Sequence, residues 1–385
     1  MGEVGKAEKT MKPHEEIGVG QEMKDTRELM ESEINKIKQP RRLFRRICFI
    51  FTGALLIIIV LFVIVYFDKL RTMVSVKKIS NAPAYYVHIY GDYYFDKYME
   101  TGAKSTTELS DFLYNKLTFG LYKGEIEQEH GCSSFYAVTP EGNHILAQNL
   151  DLSIPEHLPI VAKYENNNQM IGITDMIFLT RDISVMSVKN RLLSCSTPYF
   201  SMNGMNEHGL AITVATCAVT APGRMYNKTK TDSVTLLDTS VATAVLDNAA
   251  NVEDAVKFLS KFNVIATSNG LSHFMLADAD GNSAVIEWNN GEMQVLNSGN
   301  DYQIMTNFKL YNNSSLTGFG SDRYKNYDKI LSARKGIISE EDAMELLIEN
   351  TIPGDEDWSV IYNLTQRTVS VSFYGDYDNI YTFGY

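Results

Sequence analysis

Cysteine is scarce in this chain of 385 residues: there are four, too few for a disulfide framework. Cys48 lies inside an apolar run, which leaves Cys132, Cys195 and Cys217 for the remainder. Three is odd, so at least one thiol stays free unless pairing is intermolecular. Long basic runs are absent outside the stretch before the apolar run, and the net charge is -12. Nucleic acid is therefore not an expected partner, and the acidity reads as solubility. Metal-ligand spacing, a phosphate-binding glycine loop and a dinucleotide fingerprint are all missing, so no metal and no cofactor are expected. After about Ser75 there is no linker rich in Pro, Gly or Ser and no repeat of fixed period, which favours one domain. The hydrophobic content of 44% is enough to give that domain a sizeable core.

What the chain does have is an uncharged run from Ile47 to Phe67. At about 1.5 Å per residue a helix of this length spans the roughly 30 Å hydrocarbon core of a bilayer. A cleaved signal peptide has a shorter apolar region placed nearer the N-terminus, so an uncleaved anchor over 47–67 is expected. Lys36, Lys38, Arg41, Arg42, Arg45 and Arg46 outnumber Lys69, Arg71, Lys77 and Lys78 on the far side. The positive-inside tendency then puts the N-terminus in the cytoplasm and the large C-terminal part outside. Residues 1–46 read as a cytoplasmic, mostly disordered tail, helical in part between Glu22 and Gln39.

Beyond the anchor, Leu109, Phe112, Leu113 and Leu117 share one helical face over Thr106 to Leu121, with Ser105, Thr106 or Thr107 as cap. Ser133 to Val138, a turn at Pro140-Glu141-Gly142 and His144 to Gln148 form a strand-turn-strand pattern that Cys132 opens. Asp238 to Asn248 and Val252 to Phe262 have helical periodicity. His273 to Ala277, Ser283 to Trp288 and Glu292 to Leu296 read as strands joined by turns at Asp280-Gly281 and Asn290-Gly291. Val369 to Phe373 and Tyr381 to Phe383 close the chain as strands. Runs of strands around a helical pair make the fold class α+β.

Amide chemistry needs a nucleophile, a base beside it and donors for the oxyanion. Cys132 is the candidate nucleophile, yet an unperturbed thiol is only slightly ionised at neutral pH. No His or Asp stands at a familiar protease spacing, and the local motifs of papain-like and caspase-like enzymes are absent. A cysteine protease would need one of the seven histidines as base, and their spacing does not support it. Taken alone, Cys132 is equally a small buried hydrophobe.

Five ordered segments lend Cys132 another meaning: Gly131-Cys132-Ser133-Ser134-Phe135 continuing through Pro140-Glu141-Gly142; Ala147-Gln148-Asn149-Leu150-Asp151; Gly204-Met205-Asn206-Glu207-His208-Gly209-Leu210; Met305-Thr306-Asn307; and Ser321-Asp322-Arg323-Tyr324. In this order, and with Cys132 and Asp151 nineteen apart, the chain from Gly131 to Tyr385 resembles the choloylglycine hydrolase and penicillin acyltransferase-like group of N-terminal-nucleophile hydrolases. The resemblance implies a four-layer αββα sandwich behind the membrane helix, and autocleavage between Gly131 and Cys132 by attack of the thiol on the Gly131 carbonyl. The freed α-amine, with a pKa near 7.7 to 8.0, then serves as base to its own side chain. Glycine at 131 admits that close approach. By the same resemblance Asp151 holds the amine, Asn307 polarises the scissile carbonyl and Arg323 stabilises charge.

Two positions depart from the family pattern. Gln148 stands where the family has Arg, and Thr216 stands where bile-salt-cleaving members have an oxyanion-donating Asn, so bile-salt specificity does not follow. Both are tentative substrate or oxyanion residues. Asn206, Glu207 and Gly209 read as a turn between strands. His130 adjoins the cleavage point and reads as a solvated histidine. Cys195 and Cys217 read as buried thiols, with a disulfide open to them outside the cell. Asn227, Asn312, Asn313 and Asn363 match glycosylation acceptors.

The organisation implied is a tail over 1–46, an anchor over 47–67, a membrane-proximal and propeptide-like region over 68–131 and a hydrolase domain over 132–385. Its partners are a small-molecule amide and the membrane. The activity implied is hydrolysis of a linear non-peptide C–N amide through a Cys132 thioester. The alternatives are acyl transfer from the same site and a non-catalytic surface binding module of the same fold.

Overall fold

The computed structural model describes residues 16–79, 81, 82, 84–120, 131–152, 157–183, 186–299, 301–354 and 356–385. Two units result, Met1–Phe67 and Asp68–Tyr385. One helix runs Glu16–Ser75 and is long and apolar enough to cross a membrane by length and composition. Of the stretch expected to be a disordered tail, residues 16–46 are helical, and side chains 20–39 are exposed. Its Glu, Lys, Met, Leu and Gln are good helix formers, and the apolar run continues the same helix. Residues 1–15, and 121–130 with His130, lie outside the described residues.

Two sheets build the second unit. The larger has nine strands, in the order Lys77–Lys78, Tyr85–His88, Pro159–Glu165, Gln169–Asp175, Asn203–Asn206, Ala211–Val219, Gly270–Ala277, Ser283–Asn289 and Glu292–Asn297. The smaller has six: Gln303–Met305, Gly131–Val138, His144–Asp151, Glu356–Asn363, Thr368–Phe373 and Tyr381–Gly384. All pairs are antiparallel except Tyr85–His88 with Pro159–Glu165. The Gly131–Val138 strand packs against Ala211–Val219 across the interface between sheets. Helix Val241–Asn248 covers the outer face of the large sheet, and helices Ser321–Ala333 and Glu340–Ile348 cover that of the small one. Helix, sheet, sheet, helix is the αββα sandwich.

Strand alternation sorts the side chains between these layers. Cys132, Tyr136, Leu146 and Leu150 enter the core between the sheets, whereas Phe135, Ala137, Ile145 and Ala147 meet Tyr327, Leu331, Met344 and Leu347 of the two helices. Short capping residues fix the helix starts: the Ser339 hydroxyl accepts from the Asp342 amide and Ser105 from that of Glu108. The helix after Ser105 runs Thr106–Lys116, shorter than expected. Gly209 closes the turn after Asn206 at φ 80°, where a Cβ would strike the Leu364 carbonyl at 2.3 Å.

Three expectations are corrected by burial. Cys195 and Cys217 are separate free thiols, so they form no disulfide. Asn227 and Asn363 are buried, with amide groups bonded inside the fold, and cannot carry a glycan. Asn312 is exposed.

Candidate active site

Cys132 is the second residue of its strand and pairs with Leu150, while Gly131 pairs with Asp151. A Cβ on Gly131 would lie 3.2 Å from Ile352 Cδ1 and 3.3 Å from the Asp151 carbonyl, tighter than ordinary contacts. Glycine thus lets the chain cross this point. The Cys132 side chain is fully buried between the sheets. Burial, followed by the Asp151 charge, pushes its thiol far above the usual range, and the opposing pull of Arg323 is smaller. With the 131–132 peptide intact, the sulfur is a neutral thiol.

The backbone nitrogen of Cys132 donates to Asn307 Oδ1 at 3.0 Å. Arg323 Nη2 donates to the same oxygen at 2.7 Å, and Nη1 reaches Asp151 Oδ2 at 3.2 Å. Asp151 also accepts from the Ile352 amide at 3.3 Å. Four expected residues thus meet, with one difference in their contacts: in the uncut chain the Cys132 nitrogen rests on Asn307, and Asp151 holds Arg323. Asn307 Nδ2 donates to the Thr216 carbonyl at 2.9 Å, which fixes the amide's orientation. Arg323 lies in the first turn of helix Ser321–Ala333, after Gly320 at φ 76°. A Cβ on Gly320 would approach Arg323 Nη2 to 2.7 Å, so this glycine makes room for the guanidinium.

The two departures from the family pattern stand apart from the thiol. Gln148 is buried and staples the sheets: Nε2 donates to the Val214 carbonyl at 2.8 Å, and Oε1 accepts from Asn203 Nδ2 at 2.5 Å. Asn203 in turn accepts from the Tyr362 hydroxyl. Thr216 enters the site through its backbone carbonyl, and its side chain lies over Gly270.

A buried pair behind Asn307 is absent from the sequence expectations. His273 Nε2 donates to the Thr306 carbonyl at 2.7 Å, and Nδ1 lies 2.9 Å from Glu287 Oε1. Glu287 also accepts from the amides of Leu310 and Tyr311. Burial raises the Glu287 carboxyl, but the His273 bond and charge with the two amides outweigh it and hold the group below its ordinary value. His273 therefore donates through both nitrogens to acceptors, and the pair fixes the segment carrying Asn307. The signal was present in the hairpin, whose Phe274–Ile286 pairing places a histidine opposite a glutamate within two apolar strands.

The layered fold and a cysteine nitrogen at the centre of a bonded Asn, Arg and Asp define an N-terminal-nucleophile type of site. The family model of linear amide C–N hydrolases, choloylglycine hydrolase family, matches residues 132–336, more than half of the chain, and the chain belongs to that family. Penicillin V acylase of Pectobacterium atrosepticum is 36% identical over 115 residues, which cover 27% of this chain and 29% of that protein. The match thus spans under a third of that relative's length. Among solved structures, a mutant conjugated bile acid hydrolase from Clostridium perfringens has 14% identity and a TM-score of 0.46, covering 66% of this chain and 92% of its own. Penicillin V acylase from Agrobacterium tumefaciens has 17% identity and a TM-score of 0.46, with 66% and 86% covered.

Proposed function

We propose that this chain is a membrane-anchored cysteine amidohydrolase that cleaves a linear, non-peptide C–N amide, an N-acyl amide or bile-acid-like conjugate, after autocleavage between Gly131 and Cys132. The observation that carries the reading is the Cys132 nitrogen, 3.0 Å from Asn307 Oδ1 and joined through it to Arg323 and Asp151. Cleavage turns that nitrogen into an amine in a site already built around it. The amine takes the thiol proton, the sulfur attacks the amide carbonyl, and the leaving amine receives the proton as the thioester forms. Water, activated by the same amine, then releases the acid. Arg323 offsets developing negative charge, and an Asn307 amide turned from the Thr216 carbonyl donates to the oxyanion.

Beside Thr216 and Asn307 lies a cleft of about 450 Å³, with Tyr226, Leu271 and Trp288 as apolar wall and Arg224 and Lys309 as cations. Such a wall suits an acyl group and the cations suit a carboxylate. Cys132 is not on this wall, as fits an uncut chain in which the thiol is covered. The helix Glu16–Ser75 supplies the anchor over 47–67, with the N-terminus cytoplasmic and the hydrolase domain outside.

Intact mass and N-terminal sequencing of the purified full-length protein, beside Cys132→Ala, test the first step. A new chain starting at Cys132 in the wild type alone is expected, followed by thiol-dependent release of amine from a panel of fatty N-acyl amides, bile-acid conjugates and penicillin V. Amine acceptors added to the same assay separate acyl transfer from hydrolysis. A chain that stays whole at acidic and neutral pH, and binds the panel equally well as Cys132→Ala, overturns the reading in favour of a binding module.

A further inference from the structure

His157, Asp175 and Asp357 bring their donor atoms within 4.8 Å of one another inside the second unit. Two sheets contribute. Asp175 ends the Gln169–Asp175 strand, opposite Pro159, and His157 lies two residues before Pro159. Asp357 comes from the smaller sheet, at the irregularity where Glu356 pairs with Asp151 and Trp358 already pairs with Leu150. An extra residue in a strand turns its side chain out of the regular alternation. Here the turn sends a carboxylate into the space between the sheets.

The hydrogen bonding of the two carboxylates differs. Asp175 accepts from the Ile177 amide at 2.7 Å and the Leu158 amide at 2.8 Å. Asp357 is fully buried, and among the described residues neither of its oxygens has a hydrogen-bond partner. Leaving a carboxylate so is costly, and native folds rarely do it without a cation. His157 Nδ1 lies 3.9 Å from Asp357 Oδ2 and 4.0 Å from Asp175 Oδ2, too far for hydrogen bonds. Two donors each about 2.0–2.2 Å from one ion stand at most about 4.4 Å apart. These separations are those of ligands around a shared ion.

We propose that His157, Asp175 and Asp357 hold one divalent transition-metal ion, and that zinc, which takes imidazole nitrogen and carboxylate oxygen together, suits the set. The ion makes the trio neutral and ties the two sheets at the end that carries Asp151. The Tyr374 ring packs beside His157 at 6.2 Å, and its hydroxyl is buried without a hydrogen-bond partner near both acids. No local spacing announces the trio, since its members come from distant parts of the chain; hence the sequence expectation of no metal. The site is independent of the catalytic reading.

The test uses full-length protein in detergent, stripped with a chelator and titrated with zinc alone. One zinc per chain after desalting is expected in the wild type and in Cys132→Ala, with a rise in melting temperature. Asp357→Asn is expected to bind at least about 100-fold more weakly, the upper end of what losing even an outer-shell partner costs, and to show no zinc-dependent rise. If Asp357→Asn does not fold, cobalt decides in the wild type: d–d absorption without a thiolate charge-transfer band supports nitrogen and oxygen ligands. Wild type that retains neither metal, a thiolate band, or equal zinc binding by Asp357→Asn overturns the proposal and leaves two acids sharing a proton.

Discussion

The strands His144–Asp151 and Glu356–Asn363 are hydrogen-bonded neighbours, and at their shared end two buried ionic clusters stand side by side, built in opposite ways. In one, Asp151 meets Arg323, which also holds Asn307, so the chain supplies the cation. In the other, Asp175 and Asp357 meet a single histidine, and carboxylates outnumber side-chain cations. The burial is similar: Asp151 is 1% exposed, Asp175 and Asp357 0%. What differs is where the compensating charge originates. An arginine at the start of a helix is fixed by the fold and needs nothing further, whereas two acids facing each other draw charge from solution, as a proton or a metal ion.

Arg323→Ala erases the difference and has the largest expected effect. It withdraws the guanidinium from a buried carboxylate, and breaking such a pair costs about 3–5 kcal/mol. The cost is measured as the fall in urea unfolding free energy, and cleavage at Gly131–Cys132 is expected to fail with it. Arg323→Lys keeps the charge but not the fork that reaches Asn307 and Asp151 together, so it should recover only part. A loss below about 1 kcal/mol in Arg323→Ala, typical of surface pairs, would mean that Asp151 does not depend on this arginine.

The balanced cluster still keeps its thiol neutral, and pH exposes this. Burial pushes Cys195 up to about 11 and, ahead of the Glu287 charge, Cys217 up to about 12; Cys132 moves the same way. In each the folded value exceeds the 9.0 of an unperturbed thiol. The unfolded chain therefore gives up these protons first, so stability present below pH 9 is lost as pH climbs through 11 towards 12. Urea midpoints should fall between pH 8 and pH 10.5, and Cys195→Ala should reduce the fall. An equal fall in Cys195→Ala would remove that thiol from the account.

How much of this was legible in the sequence depends on whether the signal was local. The hairpin around Pro140-Glu141-Gly142, the helix pair over 238–262 and the closing strands follow from periodicity and turn residues, and their bounds shift by a few residues in the structure. Strands Pro159–Glu165 and Ala211–Val219 were not read, because a strand buried on both faces loses the alternation that marks one. The four residues around Cys132 came from ordered segments, and each turns up in the cluster. What was not legible was the wiring: that Asn307 rather than Asp151 carries the Cys132 nitrogen, or that His273 and Glu287 fix Thr306 behind it. Those bonds join strands whose pairing only the fold decides.

The smallest expected effect defines the edge of the active cluster. Thr216 stands at a position where a side-chain donor was expected, yet it offers Asn307 a backbone carbonyl and turns its side chain over Gly270. Thr216→Val keeps the β-branched shape and the carbonyl and removes only the hydroxyl. Substitutions clear of such features usually stay within about 0.5 kcal/mol, roughly a twofold change in rate or equilibrium. Cleavage at Gly131–Cys132 and turnover of the best amide should both remain within that range, followed by intact mass over time and by amine release. A tenfold loss of turnover with normal cleavage would instead place the Thr216 hydroxyl on the substrate, since the uncut chain has the carbonyl contact and the processed enzyme alone would need the donor.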